Sequence, residues 1–206
     1  MNDFDFKDKV VLITGAGKGA GRALAAAFAQ RGATIAANDI SPVNVEEVVA
    51  QINANGGNAK AYIDDIAKKV AAQALIKYVE DDFGRIDILI NHAAVEPHTP
   101  LLKMDEWDWH RTLDVNLTGA FLMIQSVGRV MREKGQGVII NIVPGADQKV
   151  EREAGTYFAS MAGLAELSRH ADRELSPFGV RVYAVENQGS EKIVQAVMSV
   201  FAQEEQ

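Results

Sequence analysis

The 206-residue sequence predicts an α/β chain folded as a doubly wound parallel sheet of about six strands. Three observations carry that prediction. Short β-branched apolar runs alternate with longer Ala-rich or amphipathic stretches along the whole chain, the pattern of strands joined by crossover helices. Within the strongest runs the apolar residues are consecutive, as in strands buried on both faces. Glycines, or a Ser-Pro pair, stand at the junctions where helices start and stop. Right-handed crossovers then place helices on both faces of one sheet.

The elements follow in order. "KVVLITG" (9–15) reads as a buried strand ending in glycine, and "GRALAAAFAQRG" (21–32) as a helix with Gly32 as its C-terminal cap. "ATIAAND" (33–39) is a second strand, after which Ser41 and Pro42 suit a helix N-cap and first-turn proline, with Gly56 and Gly57 closing that helix. "AKAYID" (59–64) is a strand, 68–84 a helix, "IDILIN" (86–91) a strand, and 105–133 one long helix. "GVIINIV" (137–143) is a strand, 156–175 a helix, "VRVYAV" (180–185) a strand and 191–203 a last helix. In that last helix Ile193, Val197, Val200 and Phe201 share one face.

Composition bounds the function. Hydrophobic residues make up 48% and charged residues 24%, an ordinary globular balance, and the length suits a single domain over 1–206. A net charge of -7 and a pI near 5.1 argue against a nucleic-acid partner, which needs a basic surface. The absence of cysteine excludes disulfides, thiolate metal sites and cysteine nucleophiles. His92, His98, His110 and His170 show no metal-ligand spacing, so no metal site is expected. The charged N-terminus lacks a signal-peptide core, and the longest apolar runs fall far short of the roughly 18 residues that span a bilayer. A cytoplasmic protein without a membrane partner is expected.

The loop "TGAGKGAG" (14–21) lies between the first strand and the first helix. Glycines there let the backbone turn sharply and approach a pyrophosphate, while the helix N-terminus offers free N–H groups and partial positive charge. Asp39, ending the second strand, is placed to accept from the adenosine ribose hydroxyls and to repel a 2′-phosphate. Lys18 inside the loop is the competing signal, since a basic group there could pair with that phosphate. Asp39 would sit closer to the ribose, so NAD is expected ahead of NADP. Strand, glycine loop, helix and acidic residue together make a Rossmann-type dinucleotide site.

On these and further motifs the chain resembles the short-chain dehydrogenase/reductase family, collinearly from about Lys7 to Val185. "TGAGKGAG" fits TGxxxGxG. "INHAA" (90–94) is similar to INNAG with changes at His92 and Ala94. "DVNLTG" (114–119) matches the segment with the family's active-site asparagine, and "YFASMAG" (157–163) matches YxASKAG. The resemblance implies cofactor contacts at Gly15, Gly17, Lys18, Gly19, Ala20, Gly21, Asp39, Asp65, Ile66, Asn91 and Ala93. It also implies catalytic roles for Tyr157, whose phenol moves the proton, and for Asn116, which carries a water in the relay. Pairing across a two-fold axis is implied too, through the helices starting near Asp105 and Thr156. Their residues Leu113, Leu117, Phe121, Ile124, Phe158 and Leu164 exceed what one sheet face covers, so a homodimer or larger assembly is expected.

The departures fall in the same places. The lysine position, one helical turn after the tyrosine, is Met161, and the serine position is Pro144. The proline–glycine turn after the sixth strand is "ENQG" (186–189), and a shortened C-terminus without the usual substrate lid and last strand is expected. A free tyrosine has a pKa near about 10, and methionine offers neither the charge nor the hydrogen bond that would lower it. Pro144 has no hydroxyl and no N–H, and loss of one oxyanion donor costs roughly 100- to 1000-fold. Lys149, Arg152, His92 and His98 could substitute, but each reads more simply as a solvated loop residue.

The leading expectation is a dinucleotide-binding protein of oxidoreductase type, catalytically impaired, acting by cofactor binding or subunit pairing. The alternatives are an active NAD(P)-dependent oxidoreductase of a carbonyl or alcohol substrate that uses Tyr157 in a rearranged relay, and a structural subunit without cofactor.

Overall fold

A computed structural model of the chain describes residues 4–145 and 153–204. Six strands, β1 (Val10–Thr14), β2 (Thr34–Asp39), β3 (Asn58–Ile63), β4 (Ile88–Asn91), β5 (Gly137–Pro144) and β6 (Val180–Asn187), form one sheet in the order β3-β2-β1-β4-β5-β6. Every neighbouring pair is parallel. The chain direction of the order reverses between β1 and β4, so the crevice at the C-terminal ends of those strands is the switch point where ligands bind such sheets.

The helices are α1 (Gly19–Ala29), α2 (Pro42–Ala54), α3 (Lys69–Phe83), α4 (Glu106–Leu113), α5 (Ala120–Lys134), α6 (Gly155–Leu175) and α7 (Ser190–Glu204). They cover the sheet in two layers because successive strand residues point to opposite faces. Val11 and Ile13 pack with Leu24 of α1, Val48 of α2 and Val197 of α7. Leu12 packs on the other face with Leu75 of α3, Met123 of α5 and Leu164 of α6. All five residues of β1 are buried, which is why the strand reads as an unbroken apolar run.

Three local details differ from the sequence reading. The helix expected over 105–133 is broken by a π-helical segment, Asp114–Gly119, between α4 and α5. Its cause lies outside the helix. The Asn116 side chain, 1% exposed, is pinned to the Val95 backbone, accepting from its N–H at 2.8 Å and donating to its carbonyl at 2.9 Å. Such π turns recur at functional sites. Ser41 does occupy the N-cap of α2 with Pro42 next, but its side chain makes no capping bond; its own N–H donates to Asp39 Oδ1 at 2.9 Å. Finally, β6 runs on to Asn187, so only Gln188 and Gly189 separate it from α7.

The apolar surface offered for pairing is smaller than expected. Ile124 and Leu164 are buried in their own chain, because the β4–β5–β6 half of the sheet reaches under both helices. Leu113, Leu117 and Phe158 are half-buried, and Phe121 stays 41% exposed. Phe121 borders a groove between α5 and α6, floored by Ile124, Gly128, Ala171 and Leu175. Among the described residues no helix is long and apolar enough to cross a membrane, and no cluster of His, Asp or Glu could hold a metal ion.

Candidate cofactor and catalytic site

The glycine loop connects β1 to α1 at the switch point. Gly19 has φ +52° and open space where a Cβ would stand, so its backbone is left-handed and its outer side is free. A Cβ on Gly21 would lie 2.2 Å from the Gly15 carbonyl oxygen, so the first turn of α1 can close on the loop only without a side chain. Lys18 stands at the N-cap of α1 without making a side-chain cap, which leaves the first N–H groups of the helix uncapped. The Thr14 hydroxyl accepts from the N–H groups of His92 and Ala93, at 3.2 and 3.3 Å, tying the end of β1 to the loop after β4.

Beside this loop lies a cleft of about 360 Å³. Of the residues expected at a dinucleotide site, Gly15, Lys18, Asp39, Asp65, Ile66 and Ala93 line it. Asp39 is held rigidly: Oδ2 accepts from the Gly17 N–H and Oδ1 from the Ser41 N–H, each at 2.9 Å. Each oxygen still has a free lone pair. At the β3 end Asp65 accepts from the Ala67 N–H at 3.1 Å and pairs with Arg111 Nη1 at 3.4 Å. Its neighbour Asp64 has its carboxyl pushed up by burial. Gly17, Gly19, Ala20, Gly21 and Asn91 are not among the residues lining it, and Gly19 is exposed. Asn91 turns into the sheet, donating to Asn141 Oδ1 at 2.8 Å, and Asn141 in turn donates to Ser168 at 2.8 Å.

A second group of residues gathers on α6 and the π segment. Tyr157 is half-buried in the first turn of α6, with its ring edge-on to Phe158 at 5.4 Å. Burial, with the Glu96 charge adding to it, pushes the phenol above its ordinary range. Met161, one turn on, is 3% exposed within the apolar cluster beneath α5 and α6. Asn116 donates to Ser160 Oγ at 3.0 Å, and Ser160 donates to the Tyr157 carbonyl at 2.7 Å. That chain therefore ends on the tyrosine's backbone. Pro144 closes β5 opposite Asn187 of β6. Tyr157, Asn116, Met161 and Pro144 do not line the 360 Å³ cleft. Lys149 and Arg152 lie outside the described residues.

Sequence reasoning missed two cleft residues. Arg111 comes from α4, distant in sequence from the β3 end it reaches, and nothing local marks it. His92 is not the solvated loop residue expected. Its ring is enclosed against the loop, with Nδ1 3.0 Å from the Gly15 carbonyl oxygen, and burial pushes its imidazole below the usual range. The histidine in "INHAA" was the signal for it.

Known proteins agree with this architecture. The family model described as short chain dehydrogenase matches residues 9–200. A D-threitol dehydrogenase of Mycolicibacterium smegmatis is 39% identical over 185 residues, 89% of this chain and 71% of that protein. A 3-oxoacyl-[acyl-carrier-protein] reductase of Synechocystis is 38% identical over 178 residues, 86% of this chain and 72% of that one. Among solved structures, an NAD+-bound xylitol dehydrogenase superposes with a TM-score of 0.84 at 32% identity, covering 89% of this chain and 71% of that one. A metagenomic short-chain oxidoreductase in complex with NADP gives 0.89 at 28% identity, covering 94% and 90%. With a family match over residues 9–200 and relatives 39% and 38% identical over most of its length, the chain belongs to the short chain dehydrogenase family.

Proposed function

We propose that this chain binds a nicotinamide dinucleotide, NAD(H) ahead of NADP(H), and acts through that binding or through subunit pairing, with hydride transfer impaired. The residues present fit the cofactor. The uncapped start of α1 and the open side of Gly19 suit a pyrophosphate, and the free lone pairs of Asp39 suit ribose hydroxyls. Gly17 and Ser41 fix the Asp39 carboxylate at the cleft, where it repels a 2′-phosphate; Lys18 on the same cleft works the other way. When bound, the dinucleotide supplies the carbon that gives or takes a hydride.

The observation that carries the impaired reading is Met161. It is 3% exposed in an apolar cluster one helical turn from Tyr157, where the family's pattern has a lysine. With methionine there, position 161 supplies no cation to draw off the phenol's proton, and burial together with the Glu96 charge holds that proton more tightly. Pro144 offers no donor for a substrate oxygen. The direct passage from β6 to α7 leaves no room in the chain there for a substrate lid.

Titration with NADH and NADPH followed by nucleotide fluorescence tests the binding, with NADH expected tighter. Turnover of generic ketones and alcohols tests the chemistry, with negligible rates expected. A second reading, an active oxidoreductase with a rearranged relay, draws on Tyr157, which is retained, and on the dehydrogenase and reductase names of the relatives. Ordinary enzymatic rates that Tyr157→Phe abolishes would establish that reading instead.

A further inference from the structure

The glycine loop is braced by a side chain that the proposed function leaves unused. His92 follows β4, and its backbone N–H donates to the Thr14 hydroxyl at 3.2 Å, which anchors the residue at the end of β1. Its ring Nδ1 lies 3.0 Å from the Gly15 carbonyl oxygen. A carbonyl only accepts, so Nδ1 carries the proton, and in the neutral ring Nε2 has none. A Cβ on Gly21 would stand 2.7 Å from Nδ1 and one on Gly15 3.1 Å, so ring, loop and first turn of α1 are in contact. The ring also lines the cleft.

We propose that His92 is a positioning residue for the pyrophosphate of a bound dinucleotide: it holds the loop through the Gly15 carbonyl, and on protonation it adds a positive charge there. The inference rests on the dinucleotide-binding reading. Protonation keeps the bond to Gly15, because both ring nitrogens then donate, and changes only the charge. The charged groups that share the cleft are Asp39, Asp64 and Asp65, which favour the proton, and Lys18 and Arg111, which oppose it. Burial holds the imidazole of the free protein low. A pyrophosphate beside it raises it, so by linkage the dinucleotide binds more tightly as pH falls through the histidine's range. An ion attraction of this kind, after screening, amounts to roughly a tenfold gain in affinity.

The test is calorimetric titration of wild type, His92→Asn and His92→Ala with NAD+ from about pH 8 down to about pH 5.5. The asparagine amide can donate to Gly15 and never titrates. Wild-type affinity is expected to rise as pH falls across the range, approaching the roughly tenfold factor once pH drops below the free imidazole's own range. His92→Asn should match wild type at the alkaline end and stay flat, and His92→Ala should bind more weakly throughout. In parallel, imidazole resonances should show NAD+ raising the His92 pKa by about one unit, which is the same tenfold factor. A His92→Asn profile as steep as wild type, or an unmoved His92 pKa with NAD+ bound, overturns the inference while leaving the binding reading in place. If wild type fails to bind NAD+ at any pH, both fall together. Should His92→Ala fail to fold, the asparagine variant and the resonance titration decide alone.

Discussion

Replacing Met161 by lysine puts a cation one helical turn from the Tyr157 phenol, on the same face of α6. At a separation of about 6 Å and an effective dielectric of about 20, the attraction between ammonium and phenolate is about 3 kcal/mol. That lowers the phenol pKa by about two units, from a starting point that burial and Glu96 already set above the ordinary tyrosine range. The same change has a cost. Position 161 is 3% exposed among apolar side chains, and an unpaired charge there destabilises the fold by about 3–5 kcal/mol. Thermal melting should show that loss, and NAD should recover part of it if its ribose hydroxyls reach the ammonium. The chain has four tyrosines, so a tyrosinate absorbance titration of Met161→Lys is read against Met161→Lys with Tyr157→Phe. The double change Met161→Lys with Pro144→Ser should then gain measurable but poor turnover, because the substrate remains loosely held. A folded Met161→Lys protein whose Tyr157 titrates as in wild type would refute the reasoning, since position 161 would then not face the phenol.

Three further outcomes are expected. Asp39→Asn should weaken NADH binding and narrow the gap between NADH and NADPH; a preference for NADPH in the wild type, measured by fluorescence titration, would mean that Lys18 outweighs Asp39. Sedimentation at micromolar concentration should show a homodimer or larger assembly through α5 and α6, with Phe121→Glu shifting it toward monomer, and a strictly monomeric wild type would contradict this. Tyr62, 5% exposed, donates to Asp82 at 2.6 Å, and burial is the first cause that raises its phenol. Its folded pKa lies above the unfolded value of about 10, so the stability it contributes is present below that pH and lost as pH rises beyond it. Tyr62→Phe should therefore cost about 1–2 kcal/mol near neutrality and flatten the alkaline loss of stability, both readable by urea unfolding at several pH values.

The sheet was legible in the sequence because a parallel strand covered on both faces leaves an unbroken apolar run, and β1 and β4 are such runs. The loop was legible because its glycines answer local demands: the left-handed backbone of Gly19, and the approach of Gly21 to the Gly15 carbonyl. What escaped reading depends on contacts between distant segments. The π segment in the long helix follows from bonds between Asn116 and the Val95 backbone, while the apolar period of the helix runs through it unbroken. The pairing of Arg111 with Asp65 joins α4 to the end of β3 across 46 residues of chain. Amphipathic spacing showed an apolar stripe on α5 and α6, but the sheet's reach under Ile124 and Leu164 is a property of the assembled layers.

The two groups of residues meet at the π segment, where Val115 lines the cleft and Asn116 holds Val95. Their remaining members sit on different elements, and this bears on how one could change without the other. The cleft is built from the ends of β1, β2 and β3, the loop after β4, Asn44 of α2, one arginine of α4 and Val115 of the π segment. Tyr157, Met161 and Ser160 belong to α6, Asn116 to the π segment and Pro144 to the end of β5. Met161 fills a space in the apolar cluster shared with Leu164 and Val182, so the thioether there adds packing where a lysine would need a partner for its charge. Asn116 has both amide protons committed, to the Val95 carbonyl and Ser160 Oγ, and needs no substrate or cofactor to satisfy them. Neither arrangement touches Asp39, Thr14 or the uncapped start of α1. On the proposed reading, a chain can therefore give up proton transfer through substitutions that pack well by themselves, while the dinucleotide cleft keeps every contact that shapes it.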